Sequence, residues 1–230
     1  MHIEILDLIE GAKQARGLTV IIDVFRAFST ACYVVRNGAR EIIPVGDVDL
    51  AYDLKKDNPD CVLMGERRGK MLPGFDYGNS PADIQDVDFA GKTVIQTTSA
   101  GTQGFANAKD ADELISGSFV NADAIVAYIE KKSPATVSLV CMGTWAETPN
   151  DEDTLCADYI AARLTNQKVD KKAIYRRLKD CNTARIFFDP AVTWAPEADF
   201  DLCLNIGLCD FVLKAEKFGD DLLALKPIYS

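Results

Sequence analysis

The chain has 230 residues, 48% of them apolar and 26% charged, with a formal net charge of −10. A chain of that size buries a full core without disulfide staples, and an acidic balance with no basic block argues against nucleic acid or an anionic membrane as a partner. No apolar run reaches the ~20 residues of a bilayer span. The first residues carry acidic side chains where a secretory signal would be basic and apolar, so a cytoplasmic location is expected. The seven cysteines, an odd number set mostly in apolar runs, read as reduced, buried thiols. His2 is the only histidine, which argues against Ser-His-Asp and Cys-His sites and against His-ligated zinc. Chemistry is left to carboxylates, arginines, hydroxyls, thiols, backbone amides or a hard metal.

In chain order, β-branched runs predict strands at 18–22, 41–45, 61–64, 93–96, 113–115 and 136–141. Between them, apolar spacing predicts helices at 28–37, 50–56, 101–108, 120–131 and 153–164. This alternation is the rhythm of an α/β fold, a three-layer α/β/α arrangement around a mostly parallel sheet. After about residue 166 the pattern is less regular. A basic helix at 171–179, a helix opening at Pro196, and closing strands at 211–214 and 222–226 are expected. One domain over residues 1–230 is the simplest reading, with a smaller C-terminal subdomain from about 166 left open. The stretch 69–91 has six Gly and Pro breakers and little periodicity beyond a turn of helix at 81–86. Such long irregular loops are usually functional or disordered, and Phe75 and Tyr77 favour order.

Ligands collect beyond the carboxyl ends of strands in open α/β sheets. The strand at 18–22 delivers Asp23, then Arg26, Ser29 and Thr30. The strand at 61–64 delivers Glu66, Arg67 and Arg68. The strand at 93–96 delivers Thr97, Thr98, Ser99, Gly101 and Thr102, and the strand at 136–141 leads to Asp151, Glu152 and Asp153. Each group also has a purely structural reading. Asp23, Ser29 and Thr30 suit helix caps, the hydroxyl-rich turn suits a capped helix, and the acidic trio suits a helix N-terminus. Two adjacent arginines after a buried strand also make a plausible oxyanion clamp. Cys61-x5-Arg67 has the spacing of a cysteine-dependent phosphatase loop, but apolar residues and Glu66 fill the place of the anion cradle. No P-loop or G-x-G-x-x-G occurs.

Five ordered segments carry a family resemblance: IDVFRAFST at 22–30, GERRG at 65–69, LPGFDYGNSP at 72–81, TTSAGT at 97–102 and EDTLCA at 152–157. Together they resemble the 2-phosphosulfolactate phosphatases of coenzyme M biosynthesis, from about residue 18 to 165. Phe25, Phe28 and Ser99-Ala100 depart from the family's commoner residues. The resemblance implies a Mg²⁺-dependent phosphatase acting on a small anionic phosphoester. It puts Asp23, Arg26, Glu66, Arg67, Asp76, Asn79, Ser80, Thr98, Gly101, Thr102, Glu152 and Asp153 on motif positions. The expected metal ligands are Asp23, Glu66, Glu152 and Asp153, since Mg²⁺ takes oxygen donors. Arg26 and Arg67 are expected to hold phosphate or sulfonate oxygens. Ser29, Thr30, Arg68, Asp76, Asn79, Ser80 and the 97–102 turn are expected on the substrate. The attacking group is either water activated by the metal or Asp23 itself. Two alternatives stand beside this: a relative acting on another small 2-phospho-carboxylate, and a non-catalytic anion-binding module. A homodimer is left open.

Overall fold

The structure, a computed structural model, describes residues 1–219 and 221–229. The first elements are β1 (His2–Asp7), α1 (Leu8–Gln14), β2 (Leu18–Ile22), α2 (Ala27–Arg36), β3 (Glu41–Pro44), α3 (Val48–Asp57), β4 (Val62–Arg67) and β5 (Lys70–Met71). Then come β6 (Thr93–Thr97), α4 (Gly101–Asn107), β7 (Glu113–Gly117), α5 (Ala122–Lys132), β8 (Thr136–Cys141) and α6 (Asp151–Leu164). The chain closes with α7 (Lys171–Lys179), α8 (Arg185–Phe188), α9 (Glu197–Cys203), β9 (Phe211–Phe218) and β10 (Leu222–Tyr229). The expected turn at 81–86 is a short 3-10 helix at Ala82–Ile84. This is an α/β fold with helices on both faces of a mostly parallel sheet.

The ten strands form one sheet in the order β1-β8-β2-β7-β9-β10-β3-β6-β4-β5. Strands β1, β8, β2 and β7 pair in parallel, and so do β3, β6 and β4. The C-terminal hairpin β9–β10 inserts between these two blocks and pairs antiparallel on both sides. Three antiparallel joins in a row mean that the two blocks run in opposite directions. Six strand steps separate β2 from β4, and at roughly 20–25° each the twist accumulates to about 120–150°. That coiling turns the carboxyl ends of the two blocks toward each other.

Packing follows from the pleat. Along β2 every residue is buried, and successive side chains go to opposite faces. Val20 and Ile22 join a cluster with α5, α6 and the C-terminal helices, whereas Ile21 joins one built around α2. Residues 27–35 of α2 are all buried, as expected of a helix that the coiled sheet encloses. Phe28, fully buried, meets Phe105 of α4 edge to face at 5.5 Å. A third cluster packs Ala51 of α3 onto Ile43, Leu63 and Ile95. From residue 166 onward the chain supplies α7–α9 to the first cluster and the hairpin to the sheet. All seven cysteines are free, and six are buried. No helix among the described residues is long and apolar enough to cross a membrane.

Gly65 shows how tightly β4 lies on β6. Its φ is +149°, and a Cβ there would sit 1.9 Å from the Thr97 carbonyl oxygen. Backbone cannot yield as a flexible side chain can, so Gly65→Ala is expected to destabilise the fold by roughly 2 kcal/mol or more. Urea unfolding checks this, and a midpoint equal to the wild type would contradict the packing described.

Candidate active site

The carboxyl ends of the two blocks meet around a cavity of about 140 Å³. Asp23 enters from β2, Glu66 from the end of β4, Ser99 and Ala100 from the turn after β6, and Gly143, Thr144, Trp145, Asn150 and Glu152 from the β8–α6 connection. Phe25, Arg26, Gly69, Asn79, Thr183, Ile186 and Trp194 complete the lining. Gly69 is needed here, because a Cβ on it would strike the Trp194 ring at 2.3 Å.

Backbone amides aim the carboxylates. Ser99 N–H donates to Glu66 Oε1 at 2.7 Å, and Gly69 N–H donates to Glu66 Oε2 at 2.6 Å. Ser99 Oγ also donates to Oε2, at 3.1 Å. Ala27 N–H reaches Asp23 Oδ1 at 3.3 Å, and Gly101 N–H also donates to that carboxylate. The hydroxyl-rich turn thus spends its amides on Glu66 and Asp23 rather than presenting them to an anion. Thr98 and Thr102 bond mainly to each other. Thr183 Oγ1 donates to Glu152 Oε2 at 2.6 Å. Asp153 lies outside the cavity lining. Its two oxygens accept Val24 N–H and Gly143 N–H, each at 2.8 Å, clasping the chain after β2 to the chain after β8. Asn150 caps α6 through Asp153 N–H, so the acidic first turn also has its helix-terminal role.

The carboxyl groups pay a price for this placement. Burial, then the charges of Asp153 and Glu66, push Asp23 well above the ordinary carboxyl range. Burial raises Glu152 to about 7, with the Asp23 charge adding to it and the Thr183 bond opposing it. Asp153 is also raised to about 7, by burial and by Glu152. No group of three Asp, Glu, Cys or His side chains among the described residues stands ready to hold a metal ion. Asp23, Glu66 and Glu152 nevertheless present oxygen donors in one small cavity. Mg²⁺ is commonly held by only one or two carboxylates with water and substrate oxygens, so this donor set fits a hard dication better than any softer metal.

The three arginines separate. Arg26 lines the cavity but is already engaged. Its Nη1 donates to Trp194 O at 2.6 Å and to Asp199 Oδ2 at 3.2 Å, and its Nη2 donates to Gly69 O at 3.3 Å. Asp199, fully buried, also accepts Ser80 Oγ at 2.8 Å and Ala82 N–H at 2.9 Å. Arg67 is directed away from the cavity, to Gly46 O at 3.0 Å and Thr97 Oγ1 at 2.8 Å. Arg68 is exposed at the rim, beside Trp145 and Glu147. Other motif residues act as braces. Ser29 Oγ donates to Val24 O, Thr30 Oγ1 to Asn79 O, and Asp76 accepts Leu63 N–H. Asn79 lines the cavity, and its buried Oδ1 has no partner among the described residues. Cys61 is outside the lining, and burial raises its thiol pKa, which opposes a thiolate nucleophile. Asp199, Thr183 and Trp194 were not legible as site residues. They lie in the irregular C-terminal part, and only an unmatched buried charge on Arg26 could have called for Asp199.

Fold and cavity define an α/β protein whose candidate site is lined by carboxylates, one paired arginine and several aromatic and apolar side chains, without histidine. The profile of the 2-phosphosulpholactate phosphatase family matches residues 3–217. A Bacillus subtilis protein named probable 2-phosphosulfolactate phosphatase is 32% identical over 207 residues, 88% of this chain and 89% of its own length. One of the same name from Thermoplasma acidophilum is 30% identical, covering 82% and 81%. Another, from Caldicellulosiruptor saccharolyticus, is 42% identical, but the match spans 61% of this chain and 59% of that protein. The chain belongs to the 2-phosphosulpholactate phosphatase family, whose name is that of phosphoric monoester hydrolases.

A carboxyl group whose pKa rises on folding stabilises the fold fully below its unfolded value and loses that contribution as pH climbs through the folded value. For Glu152 and Asp153 that window runs from their ordinary values of 4.5 and 3.8 up through about 7. The metal-free protein is therefore expected to melt at lower temperature as pH rises through this window. Mg²⁺ should offset the loss most at its alkaline end, and Glu152→Gln should flatten the slope. Thermal melts across the window check this, and a melting temperature that rises with pH would contradict it.

Proposed function

We propose that this protein is a Mg²⁺-dependent, cytoplasmic phosphatase that hydrolyses 2-phosphosulfolactate or a close 2-phospho-carboxylate. The observation that carries the reading is the convergence of Asp23, Glu66 and Glu152 in one small cavity. Three carboxylates repel a phosphoester, and a cation between them would offset that repulsion. A hard dication held by Asp23, Glu66 and Glu152 would neutralise them and polarise the phosphoryl oxygens. Seven free thiols agree with a reducing compartment.

The chain's own residues supply the positioning on which phosphoryl transfer depends. Ser99 and Gly69 amides fix Glu66, and Ala27 and Gly101 amides fix Asp23. Asp153 holds the strand ends that carry the site in register. Phe25, Ile186 and Trp194 form an apolar wall that excludes water. Phe25 is itself wedged against Phe187 at 5.0 Å and Phe200 at 5.8 Å. Asn79 Oδ1, in the same lining, offers an acceptor to a substrate hydroxyl or to water.

Asp23→Asn is nearly isosteric and leaves the backbone bonds in place. It is expected to lower kcat by at least about 100-fold with little loss of melting temperature. Excess chelator should abolish turnover of 2-phosphosulfolactate and of an aryl phosphate alike, and added Mg²⁺ should restore it. Full activity in chelator, or a loss of about tenfold or less in Asp23→Asn, would remove this mechanism.

A further inference from the structure

The cavity needs a cationic partner for whatever anionic group the substrate carries besides its phosphate. Arg26 is a poor candidate, because Asp199 already neutralises it and two carbonyls hold it. Arg67 points at Gly46 and Thr97, away from the lining. No lysine is among the residues that line the cavity. Arg68 remains. Its backbone N–H donates to Ser99 Oγ at 3.0 Å, and its neighbour Gly69 lines the cavity. Its guanidinium lies 4.6 Å over the Trp145 ring, which forms part of the rim.

Among the described residues, the ion-pair partner of Arg68 is Glu147, at 3.2 Å, and both side chains are more than half exposed, at 64% and 60%. An ion pair that open to water is weak and easily exchanged. The contact joins the turn after β4 to the connection after β8, so it crosses the mouth between the two blocks. The backbone there is strained on both sides. Arg68, Trp145 and Ala146 have φ of +50°, +57° and +59°, a region that non-glycine residues avoid and that clusters at ligand clamps. The contacts around these residues must hold that backbone against its strain.

We propose that Arg68 receives a second anionic group of the substrate, an oxyanion on the same small skeleton as the phosphate, by exchanging it for the Glu147 carboxylate. Glu147 fills the guanidinium's fork while the cavity is empty, and Trp145 keeps the fork flat over the mouth. The forked guanidinium suits a carboxylate or a sulfonate equally. Arg68 and Trp145 then select substrates with two anionic ends over simple phosphate monoesters. The inference rests on the phosphatase reading for the group that binds at the carboxylates.

Kinetics on 2-phosphosulfolactate and on an aryl phosphate, which lacks the second group, test it. Arg68→Ala is expected to lower kcat/KM on phosphosulfolactate at least about tenfold more than on the aryl phosphate, mainly through KM. Arg68→Asn, whose side chain tolerates the left-handed backbone, should do the same and guards against a folding artefact. Glu147→Gln should lower KM for phosphosulfolactate by about two- to fivefold, with less change on the aryl phosphate. Equal losses on both substrates, or a KM that Glu147→Gln leaves alone or raises, would overturn the exchange. If the wild type turns over neither substrate, the phosphatase reading fails on its own. Calorimetric binding of 3-sulfolactate with Mg²⁺ present then decides the role of Arg68. About tenfold weaker binding to Arg68→Ala supports it, and equal binding, or none to either protein, overturns it.

Discussion

Four carboxyl groups brought together out of water repel one another, and much of the architecture near the cavity answers that repulsion. Asp23, Glu66, Glu152 and Asp153 are each at most 7% exposed. Amide donors from Ala27, Ser99, Gly69, Val24 and Gly143 are aimed at three of them, and Thr183 at the fourth. Hydrogen bonds of this kind favour the ionised form, while burial and the neighbouring charges oppose it. The raised values for Asp23, Glu152 and Asp153 show that burial prevails in the protein alone. Such a cluster is stable either with extra protons or with a cation, and that choice links stability to function.

The sheet makes the cluster achievable. A single parallel block would place its carboxyl ends in one row. Here the β9–β10 hairpin reverses the second block, and the coil of the sheet brings the two sets of ends face to face. α2 fills the space so enclosed, and Arg26 at its start ties four segments together. It bonds to Gly69 and to Trp194, and through Asp199 to Ser80 and Ala82. The Arg26–Asp199 pair is buried, so removing either partner would strand a charge at a cost of about 3–5 kcal/mol. The PGFDYGNSP loop is likewise held by braces rather than free. Asp76 pins it to β4, and Thr30 holds the Asn79 carbonyl.

The apolar strands were legible because both faces are covered, which removes alternation and leaves continuous runs such as residues 18–22. β1 was not legible. It is an edge strand with mixed exposure, and its pairing with β8 is a long-range contact that no local pattern encodes. The seven-residue α1 was missed as well, carrying Gly11 and no side-chain cap. The closing strands were expected, but their insertion in the middle of the sheet was not. At the site, Asp23, Glu66 and Glu152 could be named from their places after strands. The pairing of Glu66 with Arg67 as joint site residues ran against the pleat. Neighbours in a strand point to opposite faces, so Glu66 meets the cavity and Arg67 does not. Adjacent residues on α6 part in the same way, Glu152 into the cavity and Asp153 onto the backbone of Val24 and Gly143.

The central claim is that the buried carboxylates trade protons for a dication. Titration calorimetry of Mg²⁺ into the substrate-free protein, repeated in buffers of different ionisation enthalpy, measures the protons released on binding. Near the Glu152 and Asp153 values of about 7, binding is expected to release protons, and the release should shrink in Glu152→Gln. Mg²⁺ binding without proton release, or no Mg²⁺ binding to the folded protein, would contradict the account.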